Sequence, residues 1–267
     1  MEMPVFTIRG KNHRERGVDY GVQCKELIQG VLERYIRFFN GGHTAVSWDE
    51  AKVISKEFLP FIRSYSPELL DELEGIAQGA DVEFDDLLTL NSRSEAMTLV
   101  RRPPSDKEEL DGCSSVAVLP DASANGHTIL AQNWDTYTWQ EYGTVILQIL
   151  RDDGPDLMIV TEAGQLARYG MNQAGIALGV NSLQKTYNPE VFGIPSVFIR
   201  CKFLEQDRYV DAVNQIFGAE SMLPMYYVAA YCGGDAMGFE KLKDGQLVLY
   251  PENGLIAHSN HIRHPHY

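Results

Sequence analysis

The run Asp111-Gly112-Cys113-Ser114-Ser115-Val116-Ala117-Val118-Leu119-Pro120 divides the chain into two parts of different character. Just before it, Arg101-Arg102-Pro103-Pro104-Ser105-Asp106-Lys107-Glu108-Glu109-Leu110 is too charged and too proline-broken for a core element and reads as an exposed connector. Ser115 to Leu119 is short, apolar and β-branched, the composition of a buried strand. Cys113 therefore stands where a connector enters a sheet. Gly112 has no side chain to shield its carbonyl carbon, and its backbone reaches conformations that other residues resist. Attack of the Cys113 thiol on that carbonyl gives a thioester, which water resolves to leave a new N-terminal cysteine.

Upstream of the run the pattern is helical. From Arg16 to Phe39, Ile28, Val31, Leu32, Tyr35 and Phe39 recur at helical spacing, and Asn40-Gly41-Gly42 supplies a stop, which predicts one long amphipathic helix. Ser47-Trp48-Asp49-Glu50 fits a capping box that opens a second helix to about Leu59. Ser66-Pro67 reads as a cap followed by proline at the first helical position, opening a third up to Gly79, and Phe84 to Met97 is a fourth.

Downstream, short apolar segments at Val116 to Leu119, Thr128 to Ala131, Thr144 to Leu150, Leu157 to Thr161 and Ile176 to Val180 alternate with turn signals such as Asn125-Gly126 and Asp153-Gly154. A helix from Arg208 to Phe217 and strands at Tyr226 to Tyr231 and Leu247 to Tyr250, the last beside Asp244-Gly245, complete the reading. Helices first and antiparallel strands later predict an α+β layered fold. Residues 1–112 form a helical α-chain ending in the connector, and residues 113–267 a strand-rich β-chain, the two intertwined in one domain.

Composition excludes several classes of function. The 267 residues carry 23 basic and 37 acidic side chains, a net charge of −14, shared equally at −7 on either side of Gly112. No basic patch stands out, so nucleic acid is not an expected partner. The first twenty residues lack the apolar run of a signal peptide and no stretch has the length of a membrane span, so a cytoplasmic protein without a membrane partner is expected. Cys24, Cys113, Cys201 and Cys232 are widely spaced, without zinc-site or disulfide patterning. Cys24, Cys201 and Cys232 are assigned to packing. His258, His261, His264 and His266 cluster in sequence, but a chain end offers little to hold converging ligands, so no metal and no cofactor is expected.

The chemistry converges on Cys113. A free α-amino group has a reference pKa of roughly 8, so near neutral pH much of it can act as a base. On the same residue as a thiol it supplies nucleophile and base together. Asn133-Trp134-Asp135 ends the next predicted strand, which in a hairpin returns beside Cys113. There a carboxylate meets the new ammonium and a backbone N–H faces a developing oxyanion. Locally, Asp135 fits a turn cap equally well, Trp134 simple packing, Asn181 and Asn260 turn residues, and Arg93 with Glu95 a structural ion pair.

Motif order resolves these alternatives. Asp111-Gly112-Cys113-Ser114-Ser115, Gln132-Asn133-Trp134-Asp135, Gly170-Met171-Asn172-Gln173-Ala174-Gly175-Ile176 leading to Asn181-Ser182-Leu183, and His258-Ser259-Asn260-His261 together resemble the isopenicillin N acyltransferase (penicillin acyltransferase) family, N-terminal nucleophile hydrolases of the C45 peptidase type. Glu15-Arg16-Gly17 with Gly21, and Glu74-Gly75-Ile76-Ala77 running to Asn91-Ser92-Arg93-Ser94-Glu95, resemble that family's pro-segment. The resemblance implies an αββα sandwich, self-cleavage between Gly112 and Cys113, and a Cys113 thioester that passes its acyl group to an amine or to water. It implies Asp135 and Asn260 as oxyanion donors, through a backbone and a side-chain amide, with Asn181 near the Cys113 amine and Ser115 assisting cleavage. The implied partners are a small acyl-amine or amide substrate and the protein's own cleaved chains. The acidic surface favours amides over coenzyme A as acyl source. An uncleaved cysteine hydrolase with a histidine base and an inactive binding protein of the same fold are the alternatives. Family members extend well beyond the motif around Asn260, which implies a short or truncated representative.

Overall fold

The computed structural model describes residues 3–99, 112–183, 192–242 and 245–265. The connector at 101–110 with Asp111, the turn residue Asp244 and His266 lie outside these residues.

The first part of the chain is a short strand β1 (Val5–Ile8) followed by helices α1 (His13–Gln23), α2 (Lys25–Phe38), α3 (Trp48–Lys56), α4 (Leu59–Tyr65), α5 (Pro67–Ala80) and α6 (Phe84–Leu99). The single long helix expected from Arg16 to Phe39 is two. Cys24 leaves helical dihedrals at φ −107° and ψ 13°, so that α1 lies on α5 while α2 turns Ile28, Val31, Leu32 and Tyr35 into the core. Both α1 and α5 carry glycines where they touch. A Cβ at Gly17 would come 2.1 Å from the Glu72 carbonyl oxygen, one at Gly21 2.4 Å from that of Ile76, and one at Gly75 2.4 Å from that of Arg14. These glycines are thus what lets two backbones meet. The capping box at Ser47 and Glu50 forms as expected, with both reciprocal bonds present. Pro67 opens α5, whereas Ser66 makes no side-chain cap bond.

After residue 112 come β2 (Ser114–Val118), β3 (Ile129–Asn133), β4 (Thr144–Ile149), β5 (Leu157–Glu162), β6 (Tyr169–Asn172), β7 (Ile176–Ser182), α7 (Ser196–Leu204), α8 (Tyr209–Gly218), β8 (Met225–Tyr231), β9 (Asp235–Leu242), β10 (Gly245–Leu249) and β11 (Leu255–His258). They build an eight-stranded sheet in the order β1-β4-β5-β6-β7-β8-β9-β10 and a three-stranded sheet in the order β11-β2-β3. All the pairings are antiparallel except β1 on β4.

Alternation along the strands decides the layers. Tyr227, Ala229 and Phe239 of the large sheet join Val145, Leu147, Ile159 and Leu178 in the core beneath the helices, while Tyr226, Val228, Ala230 and Ala236 point the other way. There they meet Ala117 of β2 and Ile256 of β11, so the two sheets stack with a second apolar layer between them. The architecture is α+β, with helices on one face of the large sheet and the small sheet on the other. The outer face of the small sheet, where Ile129 and Leu255 are 41% and 46% exposed, carries no helix among the described residues.

Candidate active site

The β2–β3 hairpin sets Ser114 opposite Asn133, which brings Trp134 and Asp135 back alongside Cys113 and Gly112. A Cβ at Gly112 would lie 2.8 Å from Asp135 Oδ2, so the glycine makes room for that carboxylate. On the other side of β2, β11 sets His258 opposite Ser115, and two residues later Asn260 arrives at Cys113. The buried Cys113 donates its backbone N–H to Asn260 Oδ1 at 2.8 Å. Asn260 Nδ2 in turn donates to Ser182 O at 2.8 Å and to Ser182 Oγ at 3.2 Å. Asn181, wholly buried, donates through Nδ2 to His258 O at 3.0 Å, Ser259 O at 3.1 Å and Ser115 Oγ at 3.2 Å. Its Oδ1 has no hydrogen-bond partner among the described residues. Gly112, Cys113, Ser115, Asp135, Asn181 and Asn260, separated by up to 148 positions in sequence, thus gather at one place.

Several residues that hold this place had no role at the level of sequence. Gln132 reaches from β3 across to the large sheet, where its Oε1 accepts the Val180 N–H at 2.7 Å and its Nε2 donates to the Val180 carbonyl. The side chain mimics a neighbouring strand, and β7 needs it because β6 pairs only as far as Leu178. Arg168 lies over the indole of Trp134, 3.6 Å from the ring centroid, and pairs with the buried Glu162. Glu162 also accepts from Tyr35 at 3.0 Å, Gln165 at 2.7 Å and Arg93 at 2.8 Å. Arg93 therefore pairs with Glu162 and not with Glu95, whose carboxylate accepts the Ser196 N–H at 2.8 Å. The phenol of Tyr169 is raised by burial. Arg168 pulls it down, and the nearby Cys113 and Glu162 push it up further.

Two other clusters carry potential metal ligands. His258 Nε2 is bound to Glu240 at 2.7 Å, and among the described residues His258, His261 and His264 join no group of converging ligand atoms. His13, Glu72 and Glu205 bring potential ligand atoms within 4.8 Å of one another. Cations already occupy their surroundings: Arg151 lies 3.1 Å and Lys202 3.6 Å from Glu205, and Arg16 3.0 Å from the adjoining Asp153. This is an ion-pair lattice that ties α1 and α5 to α7 and the β4–β5 turn. Of the cysteines assigned to packing, Cys24 and Cys201 are buried, but Cys232 is exposed, because it lies in the β8–β9 turn and not within a strand.

No family model matches the chain. It is 28% identical over 249 residues to acyl-coenzyme A:6-aminopenicillanic-acid acyltransferase (40 kDa form) of Emericella nidulans, covering 91% of this chain and 66% of that protein. It is 27% identical over 199 residues to beta-alanyl-dopamine/carcinine hydrolase of Drosophila melanogaster, covering 68% and 49% respectively. The chain thus spans between half and two thirds of the length of these relatives. Among solved structures, the N-acylethanolamine-hydrolyzing acid amidase orthologue of Caenorhabditis elegans matches 57% of this chain and 71% of its own, at 14% identity and a TM-score of 0.46. No helix among the described residues is long and apolar enough to cross a membrane. The motif order read from the sequence and the alignment across nearly the whole chain agree: this protein is a homologue of acyl-coenzyme A:6-aminopenicillanic-acid acyltransferase.

Proposed function

We propose that the protein is an N-terminal cysteine acyltransferase or amidohydrolase that matures by cutting itself between Gly112 and Cys113. One observation carries the reading: the Cys113 backbone nitrogen is held by Asn260 Oδ1 at 2.8 Å while the Asp135 carboxylate lies beside Gly112, so residues remote in sequence stand against both sides of the 112–113 bond. In maturation the Cys113 sulfur bonds to the Gly112 carbonyl carbon and the C–N bond breaks. The thiol proton passes to the departing nitrogen. Water then hydrolyses the thioester, leaving a Gly112 carboxylate and a Cys113 with free amine and thiol.

The same residue next attacks a small amide. Its amine, still facing Asn260 Oδ1, takes the thiol proton and returns it to the leaving amine of the substrate. The resulting thioester is resolved by a second amine or by water. Asp135 supplies its backbone N–H to the oxyanion, a donor whose loss costs roughly a hundredfold in rate. Asn260 Nδ2, spent on Ser182, would join it only by leaving that bond. We assign to Asn260 first the orientation of the amine. Asn181 keeps Ser115 and the 258–259 carbonyls in register with β2. A histidine base is disfavoured, since His258 already has both ring nitrogens engaged.

The names of its relatives cover both acyl transfer and hydrolysis, and the chain is proposed to act on small amides in the same manner. Denaturing gels of the full chain test this. Fragments of 112 and 155 residues are expected, the larger beginning at Cys113, and hydroxylamine should speed their release by trapping the thioester. Cys113→Ala should leave one band. A wild-type chain that stays whole yet hydrolyses amides would overturn the cut and leave an uncleaved cysteine hydrolase. Cleavage without turnover of any amide in a broad panel would leave a binding protein.

A further inference from the structure

Glu240 lies in the middle of β9 with no exposed surface. Its Oε1 accepts from His258 Nε2 at 2.7 Å and from the Arg263 N–H at 2.7 Å, and its Oε2 accepts from the His264 N–H at 2.9 Å. The other ring nitrogen of His258, Nδ1, is 2.7 Å from the Ser259 carbonyl oxygen. A carbonyl oxygen only accepts, so hydrogens on both nitrogens of His258 would satisfy both of its contacts at once. The side chains of the pair are fully buried.

Burying two charges is costly unless geometry and hydrogen bonding are complete, and here they are. Tyr226 stacks on the imidazole at a centroid distance of 3.9 Å and His261 at 5.0 Å, both nearly parallel. The titratable and charged groups around the pair are thus Tyr226 of β8 and His261, Arg263 and His264 of the tail. Glu240 grips the chain on both sides of Asn260: through His258 two residues before it, and through the backbone three and four residues after it.

We infer that Glu240 and His258 are positioning residues, whose buried carboxylate–imidazolium pair fixes the turn at 258–264 and so aims Asn260 Oδ1 at the nitrogen of Cys113. The side-chain hydrogen bonds of the pair run to Ser259, Arg263 and His264 and to each other, that is, to the neighbour of Asn260 and to residues three and four positions after it. Its effect on rate rests on Cys113 being the nucleophile, as proposed above. The placement of its hydrogens does not.

The test has two arms on the full chain. Nitrogen-resolved NMR of the imidazole rings at pH 7, with the His258 signal assigned by its loss in His258→Gln, should show both ring nitrogens of residue 258 protonated. A single neutral tautomer overturns the inference. In Glu240→Gln, with unchanged circular dichroism, release of the 155-residue fragment should slow about ten- to a hundredfold, as sub-ångström misplacement does. Wild-type release in that folded variant overturns the inference. His258→Gln keeps a donor towards Glu240 but no charge, so it serves if Glu240→Gln does not fold, and the same slowing is expected. The double variant should be no slower than either single one, and additive losses would overturn the shared role. Unaltered cleavage in Cys113→Ala would sink the proposed function while the ring measurement still reads the pair.

Discussion

Arg168 stacks on Trp134 and at the same time ion-pairs with Glu162, so the residue next to Asp135 is tied to the buried polar hub of the large sheet. Glu162 is 1% exposed and answers to two guanidinium groups, a phenol and two amides. Replacing it by Gln leaves Arg93 and Arg168 buried without a counter-charge. Glu162→Gln should lose about 3–5 kcal/mol in a denaturant titration, the range seen when one partner of a buried pair is removed. Arg168→Met, which keeps bulk over the indole but not the charge, should weaken the same hub and slow self-cleavage. Equal stability of Glu162→Gln and wild type would show that the hub contributes nothing.

Gly112→Ala places a methyl carbon 2.8 Å from Asp135 Oδ2. One of the two must move. Release of the 155-residue fragment should slow by up to about a hundredfold, and Gly112→Ala with Asp135→Ala should recover part of the clash while losing the carboxylate. A Gly112→Ala chain that matures at the normal rate would mean that Asp135 does not stand where it matters.

Gly21→Val should be poorly tolerated. The Cβ alone would meet the Ile76 carbonyl oxygen at 2.4 Å, and backbone on both sides leaves no flexible side chain to yield. Overpacking usually costs about 1–3 kcal/mol, and a backbone clash belongs at or above the upper end. Thermal unfolding should show a lowered midpoint. By contrast, Gly126→Ala, with nothing within 4 Å, should lose only what its positive φ of 69° imposes.

Stability should fall as pH rises from about 5 to 8, through the lattice around Glu72. Burial pushes the Glu72 carboxyl up to about 7 from its ordinary 4.5, against the pull of His13, so the folded chain holds a proton that the unfolded chain has released. That contribution is complete below about 4.5 and is lost as pH climbs through about 7. His13 acts in the same direction: burial lowers it, but the Glu205 hydrogen bond and the Glu72 charge outweigh burial and raise it. Glu205 is lowered, burial being outweighed by His13 and Arg151, so its contribution is lost only in acid. Urea titrations at pH 5 and pH 8 should differ less in Glu72→Gln than in wild type. An unchanged difference would remove Glu72 from this account.

The hairpin that returns to Asp135 was legible from strand spacing alone, and the start of β2 from the apolar composition after Cys113. Helices α3, α5, α6 and α8 were legible too, α3 from its capping box, α5 from the proline at its first position and α6 from its apolar period. The break at Cys24 was not, since apolar spacing continues smoothly through it and only the packing of α1 on α5 demands a turn. Strands β1, β6, β9 and β11 and helices α4 and α7 also escaped. They are short or buried on both faces, so alternation is weak, and β9 places a buried Glu240 amid residues that read as a solvated face. For the site, motif order found the residues that meet Cys113. It gave no sign of Arg168, Glu162 and Glu240, whose partners come from distant elements and whose identity as charged residues suggested exposure.

Strand β1 is drawn from residues 5–8 yet lies at the edge of a sheet whose other strands all follow residue 113, and α6 is joined to the later chain through Arg93 and through Asn91, which holds the backbone at Gly164 and Leu166. With the bond at 112 cut as proposed, the early segment would be no removable leader. The product would be a heterodimer whose halves never met by diffusion, and its native state could be reached again only by a bimolecular encounter for which the connector no longer sets the concentration. Unfolding after such a cut should therefore be hard to reverse on dilution, while the uncut Cys113→Ala chain keeps its halves tethered, so a cut protein would persist by how slowly it comes apart.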